Sequence, residues 1–218
     1  SLFAYFDISS FLYGQRGSVD VMAWKSDVWN LPADSVKISV DIDSNLVAIT
    51  RATQYQERML IDAKADAVIV DSTATVTISD FLFQFDSLKY VNEYPTVVDF
   101  LADKIVVKNM MLRGNEGAIR FDVDYGYDTT IDLHVVTEDF NFATWLRDLN
   151  MDSSFTGRLS LDGRMNGKLT NPTIVVNGGV SDLMFAADTL GNLTGKLQFS
   201  DSSLTFQDVV LGFRGYEI

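Results

Sequence analysis

Strict two-residue alternation of apolar and polar side chains runs through nearly the whole chain, and it allows few folds. It appears in "SVDVMAW" (18–24), "SVKISVDID" (35–43), "ATVTISDFLFQF" (74–85), "DKIVVKNMML" (103–112) and "AIRFDVDYGY" (118–127). It continues in "TTIDLHVVT" (129–137), "GKLQFS" (195–200) and "SLTFQDVVLGF" (203–213). Successive side chains of a strand point to opposite faces, so this pattern predicts strands with one apolar face and one wet face. A parallel sheet covered by helices on both sides would need continuous apolar runs instead. The breaks are short and rich in turn formers: "YGQRG", "NLPAD", "DSN", "RGNEG", "NGG", "TLGN" and "SDSS". Connections of that length imply antiparallel neighbours joined by hairpins, and the fold class is all-β.

Two segments depart from the pattern. In "EDFNFATWLRDLN" (138–150), Phe142, Trp145, Leu146 and Leu149 recur at spacings of three and four. Asp139 or Asn141 is placed to cap the start, which predicts a short helix near 140–149. In "EYPTVVDFLAD" (93–103), Val97, Val98 and Leu101 share a helical face behind Pro95, but the segment also reads as a strand. A faint internal repeat aligns "IVVKNMML" (105–112) with "LTFQDVVL" (204–211), with Asn109 and Asp208 each three residues before a leucine.

Charge and composition narrow the function. With 17 basic against 30 acidic residues the net charge is -13, which repels nucleic acid and anionic headgroups. There is no cysteine, so disulfides and thiolate metal sites are excluded. The one histidine, His134, lies on the face opposite Leu133 and Val135 and reads as a solvent-facing strand residue. "DIDSN" (41–45) opens like a calcium loop but has Leu46 where glycine is needed and Ala52 where glutamate is needed. Neither a phosphate cradle nor a catalytic constellation is present, and the "NLT" triplet at 192–194 decides nothing. The chain is expected to be noncatalytic, without cofactor or metal. The aromatic residues fall mostly on the apolar parity, which suits either a sandwich core or a face left open for an acyl chain.

The segment "FNFATWLRDLN…SSFTGRLSLDGRMNGKLTNPTIVVNGGV" resembles the repeat unit of the AsmA/TamB family of bacterial envelope proteins. Gly157, Leu159, Leu161, Gly163, Gly167, Leu169, Asn171, Pro172 and Gly179 fall in the family's order of Gly-x-Leu-x-Leu-x-Gly, a second Gly-x-Leu, Asn-Pro and an apolar strand ending in glycine. "LGNLTGKLQFSDSSLTFQDV" resembles the strand pair that follows. The match covers about 140–211, and the first 130 residues carry fewer Gly-x-Leu marks.

The resemblance implies an elongated, strongly curved antiparallel sheet folded like a taco around an open groove. Residues 1–218 would form one continuous segment, with sub-units at 1–138 and 139–218. Both ends stop inside strand-like pattern, so the chain is expected to be part of a larger protein. The implied function is a hydrophobic path for phospholipid between inner and outer membranes, or assistance in outer-membrane protein assembly. The alternatives are a scaffold that recognises β-barrel proteins or assembly factors by strand-edge pairing, and a closed β-sandwich binding module. Expected partners are phospholipid acyl chains and an outer-membrane assembly factor or barrel protein. The expected location is the periplasm, with an inner-membrane anchor and membrane contact supplied from outside this segment.

Groove lining is assigned to one parity of each strand. In the first half these residues are Ile38, Val40, Val76, Ile78, Phe83 and Phe85. Further along they are Val107, Phe121, Val123, Leu133, Val135, Leu159, Leu161 and Met165. The last are Ile174, Val176, Leu197, Phe199, Leu204 and Phe206. The glycines at 157, 163 and 167 are expected to let the wall bend or bulge, and Pro172 to sit at the start of the next strand.

Overall fold

The computed structural model describes residues 2–9, 16–28, 31–56, 58–148, 154–186, 188–200, 203–213 and 216–217. They form two compact units, Ser1–Ala102 and Asp103–Ile218. Both are antiparallel sheets built mainly from sequential hairpins, so the all-β fold follows from the alternation. Two features of the sequence read differently in three dimensions. "NGG" and "TLGN" are not breaks: Gly178 and Gly179 lie inside a long strand, and 189–192 lie near the start of the next.

The first unit contains β1 (Leu2–Ser9), β2 (Arg16–Val28), β3 (Leu31–Asp43), β4 (Leu46–Gln56), β5 (Met59–Val70) and β6 (Thr73–Phe85). Then come β7 (Leu88–Asn92) and β8 (Thr96–Phe100), both antiparallel to β6. The ambiguous 93–103 segment is therefore strand at 96–100. Pro95 has no N–H for the ladder, and there the Asn92 side chain substitutes. Its Oδ1 accepts the Phe81 N–H at 2.7 Å, and its Nδ2 donates to the carbonyls of Ser79 and Tyr94 at 3.1 Å. Leu88, Tyr90 and Thr96 beside it are the most deeply buried residues described.

The second unit contains β9 (Lys104–Gly114), β10 (Gly117–Gly126), β11 (Thr130–Asn141), α1 (Phe142–Asp148), β12 (Phe155–Lys168), β13 (Asn171–Phe185), β14 (Asp188–Ser200), β15 (Ser203–Phe213) and β16 (Tyr216–Glu217). The helix starts as expected, with Asn141 Oδ1 accepting the Ala143 N–H at 3.2 Å. Leu149, counted in its apolar face, lies outside the described residues. The compact units divide at Ala102/Asp103 and not at 138/139, because β11 pairs directly with β12 and α1 is an excursion between them. Leu169 and Thr170 form a two-residue turn between β12 and β13, and Pro172 is the second residue of β13.

Candidate functional site

Residues directly opposite in an antiparallel ladder share a face, so the register shows which side chains lie together. In the second unit one set of rows links Val107 to Val123, Leu133 and Met165. The rows continue from Met165 to Ile174 and Phe199, and from Phe199 to Leu204. A parallel row links Phe121 to Val135, Gly163, Val176, Leu197 and Phe206. Leu159 and Leu161 share this face through Val180 and Gly178. The register thus brings the whole second-unit set named from the sequence onto one face. In the first unit Ile38 and Val40 share a face with Ala52 and Ile49. From there the rows run through β5 to Val76, Ile78 and Phe83, and Phe85 pairs with Met59 on the same side.

Asp34, two residues before Val36 in β3, and Asp188, opposite Phe185, bring charge onto this parity at its margins; the rows just named contain no Asp, Glu, Lys or Arg in either unit. In the second unit their polar members are Tyr125 and Thr137, and the Thr137 hydroxyl accepts the Leu161 N–H at 3.2 Å. None of the named lining residues of this unit is buried, and Leu204 and Phe206 are 54% and 63% exposed. A sandwich core would bury such residues.

The face is dented where β12, β13, β14 and β15 run side by side. Gly178 and Gly195 stand opposite each other in the ladder, so no side chain rises from that point. Leu161, Val176, Val180, Leu193, Leu197, Phe206 and Val209 stand around it, and the concavity encloses about 320 Å³. That is at the small end of ligand-binding clefts and is lined as an apolar site is. The backbones are close: a Cβ on Gly178 would lie 2.9 Å from the Ser160 carbonyl oxygen, and one on Gly195 would lie 3.2 Å from Val209 Cγ2. Neither glycine was singled out from the sequence. The signal is present as an apolar-x-Gly-x-apolar pattern, V176-x-G178-x-V180 beside L193-x-G195-x-L197.

The opposite face carries the charge. Arg51 makes a two-pronged contact to Asp62, with Nε to Oδ1 at 3.0 Å and Nη2 to Oδ2 at 2.9 Å, and Thr53 Oγ1 donates to Asp62 Oδ1 at 2.7 Å. Desolvation pushes the Asp62 carboxyl up, but the hydrogen bonds from Arg51 and Thr53 and the nearby cations outweigh it and hold it below the usual range. Lys104 Nζ meets Asp124 at 2.8 Å. His134 lies between two carboxylates, with Nε2 2.9 Å from Asp162 Oδ1 and Nδ1 3.9 Å from Asp122 Oδ2. It is the polar-face residue expected, though only 20% of its side chain is exposed.

Register shifts punctuate the ladders, and the two units handle them differently. In the first unit the extra residue is Thr50 or Ser79, whose hydroxyl donates to the opposing carbonyl of Ser39 (3.1 Å) or Lys64 (3.3 Å). In the second unit each odd-numbered strand from β9 to β15 holds an Asn or Asp in the left-handed region, namely Asn109, Asp139, Asp182 and Asp208, with φ between 49° and 55°. Asn and Asp tolerate that conformation better than other non-glycine residues. Of the three glycines expected to permit bending, Gly157 sits at such a shift. Gly163 has ordinary surroundings, and Gly167 is near the hairpin end opposite Pro172. The repeat seen in the sequence thus aligns two bulges, at Asn109 and Asp208.

No protein-family model, curated protein or solved structure matches the chain.

Proposed function

We propose that the chain is a noncatalytic segment of an AsmA/TamB-like envelope protein whose apolar sheet face carries phospholipid acyl chains between inner and outer membranes, with a role in outer-membrane protein assembly. One observation carries this reading: the uncharged face of the second unit, held in register across seven strands and dented at Gly178 and Gly195. A lining dominated by aliphatic and aromatic side chains, with Thr194 and Lys196 its polar members, suits hydrocarbon and gives it no deep trap, so a chain would slide. Headgroups would stay in water, away from a surface whose net charge is negative.

Native mass spectrometry and lipid extraction of the purified protein test the reading. Co-purified phospholipid is expected. Leu161→Arg, at the rim of the dent, should abolish acyl-lipid crosslinking while the far-UV circular dichroism stays that of a β-sheet protein. A preparation that holds no acyl lipid and scatters as a compact globule would sink the proposal in favour of a closed sandwich.

A further inference from the structure

Two dipeptides able to modify themselves lie in neighbouring strands of the second unit. Asn-Gly occurs twice in the chain, at Asn166-Gly167 and at Asn177-Gly178. In such a pair the main-chain nitrogen of the glycine attacks the asparagine Cγ, since no side chain on the second residue stands in its way. The new C–N bond closes a succinimide ring, and the carboxamide nitrogen leaves as ammonia. Water then opens the ring at either carbonyl, giving aspartate or isoaspartate with no oxidation or reduction. The attack requires an asparagine turned out of the extended conformation and a glycine amide released from its ladder.

Asn177 and Gly178 lie inside β13 with a strand on each side. Asn177 stands opposite Asp162 and Lys196, and Gly178 opposite Leu161 and Gly195. Asn177 is exposed, so water reaches it, but its main chain is held extended. Asn166 is exposed too, and it lies near the end of β12, just before Gly167 at φ +103° and the turn at Leu169 and Thr170. Gly167 stands opposite Pro172, which has no N–H to give the ladder. We infer that Asn177-Gly178 is a latent deamidation site, shut while β13 is held between β12 and β14 and opened when those strands part, whereas Asn166-Gly167 reacts in the folded chain. The aspartate product at 177 would sit between Asp162 and Lys196, whose charges offset one another, and is tolerated. Isoaspartate is not, because it routes the main chain through Cβ and so lengthens β13 just before Gly178, moving that glycine out of line with Gly195. The site therefore records each opening of the sheet, whatever the dent carries.

The test is to incubate the full chain in warm, mildly alkaline buffer with and without urea, and to follow deamidation of the two proteolytic peptides by mass spectrometry. Without urea, Asn166 is expected to convert at least about tenfold faster than Asn177, and in urea the two rates should come within about threefold of each other. Asn177 converting as fast in the folded chain as in urea overturns the proposal, and so does an Asn166 no faster than Asn177 without urea. A second measurement separates the products. Asn177→Asp is expected to keep the wild-type urea midpoint. Aged chain carrying isoaspartate at 177 should, once the urea is removed, exchange the amides of 174–180 and 193–197 faster than fresh chain does. Ordinary protection of those amides in the isoaspartate chain, or a lowered midpoint for Asn177→Asp, overturns the consequence assigned to each product.

Discussion

The two units build the same kind of uncharged face by opposite means. Of the 14 glycines only Gly14 and Gly17 fall in the first unit, and none occurs between Gly17 and Gly114. There the face is narrowed by alanines, with Ala52 against Ala63 and with Ala65 and Ala67 among the few buried apolar residues described. Gln54 and Gln56 interrupt it. The second unit alternates large aliphatic and aromatic side chains with glycine, so its face has both bulk and a dent. The bulges follow suit: hydroxyls bridging to carbonyls in the first unit, left-handed Asx residues in the second, with a glycine beside Asp139, Asp182 and Asp208. A small side chain lets strands approach without changing backbone conformation, whereas glycine opposite a left-handed residue permits a conformational step. Substitution is therefore expected to cost less in the first unit than at the glycines of the second.

That contrast breaks most readily at Gly117. At φ +118°, with a new Cβ 2.8 Å from the Glu138 carbonyl oxygen and from Phe140 Cα, Gly117→Val should cost about 3 kcal/mol or more in urea denaturation. Tolerance of that change would remove the glycine requirement on which the comparison rests. Next in size is Asp182→Ala, which forces alanine to φ 49° and should cost ~1–2 kcal/mol, whereas Asp182→Gly should stay near wild type. Equal losses in the two variants would mean that the carboxylate, and not the backbone conformation, matters there. Smaller again is Asn192→Ala, expected to lose ~1 kcal/mol, against ~0.5 kcal/mol for Thr50→Val or Ser79→Ala. If the hydroxyl changes prove the costlier, the first unit is the more tightly determined of the two.

The smallest effect is electrostatic. The folded Asp62 carboxyl is held below its unfolded value, so its pairing adds stability above that value and loses it as the pH falls through the folded one. Arg51→Gln should therefore raise the midpoint of acid unfolding, and its difference from wild type should fade in stronger acid. A variant that matches wild type throughout the acid titration would show the contact to be fully screened.

Much of this was open to reading in the sequence. Alternation marks the strands because each side chain records which face it occupies, and so the named lining residues of the second unit fall into shared rows. Asn109 and Asp208 could be aligned because the residues around two equivalent bulges are alike. The bulges themselves hide from a period-two reading, since each one flips the parity inside a strand: Ile105 and Val107 share a face with Met110 and Leu112. Gly178, Gly179 and Gly191 look like turn residues because glycine favours turns, and only a partner strand reveals that they answer a close approach. For the same reason the dent was invisible, since it depends on which two glycines lie opposite each other. The 93–103 segment was ambiguous because Val97 and Val98 fit both periods, and the Asn92 bridge that decides it acts across the sheet.

A bulged strand and the plain strand that follows it make a tile two strands wide. Such a tile closes on itself in one respect: the chain leaves it running in the direction in which it entered, with the apolar side facing the same way. Duplicating or deleting a whole tile therefore leaves every other tile's chemistry intact, whereas gaining or losing a single strand would set a bulge against the wrong neighbour. By this geometry such a sheet keeps its bulges matched only when it lengthens by two strands at a time.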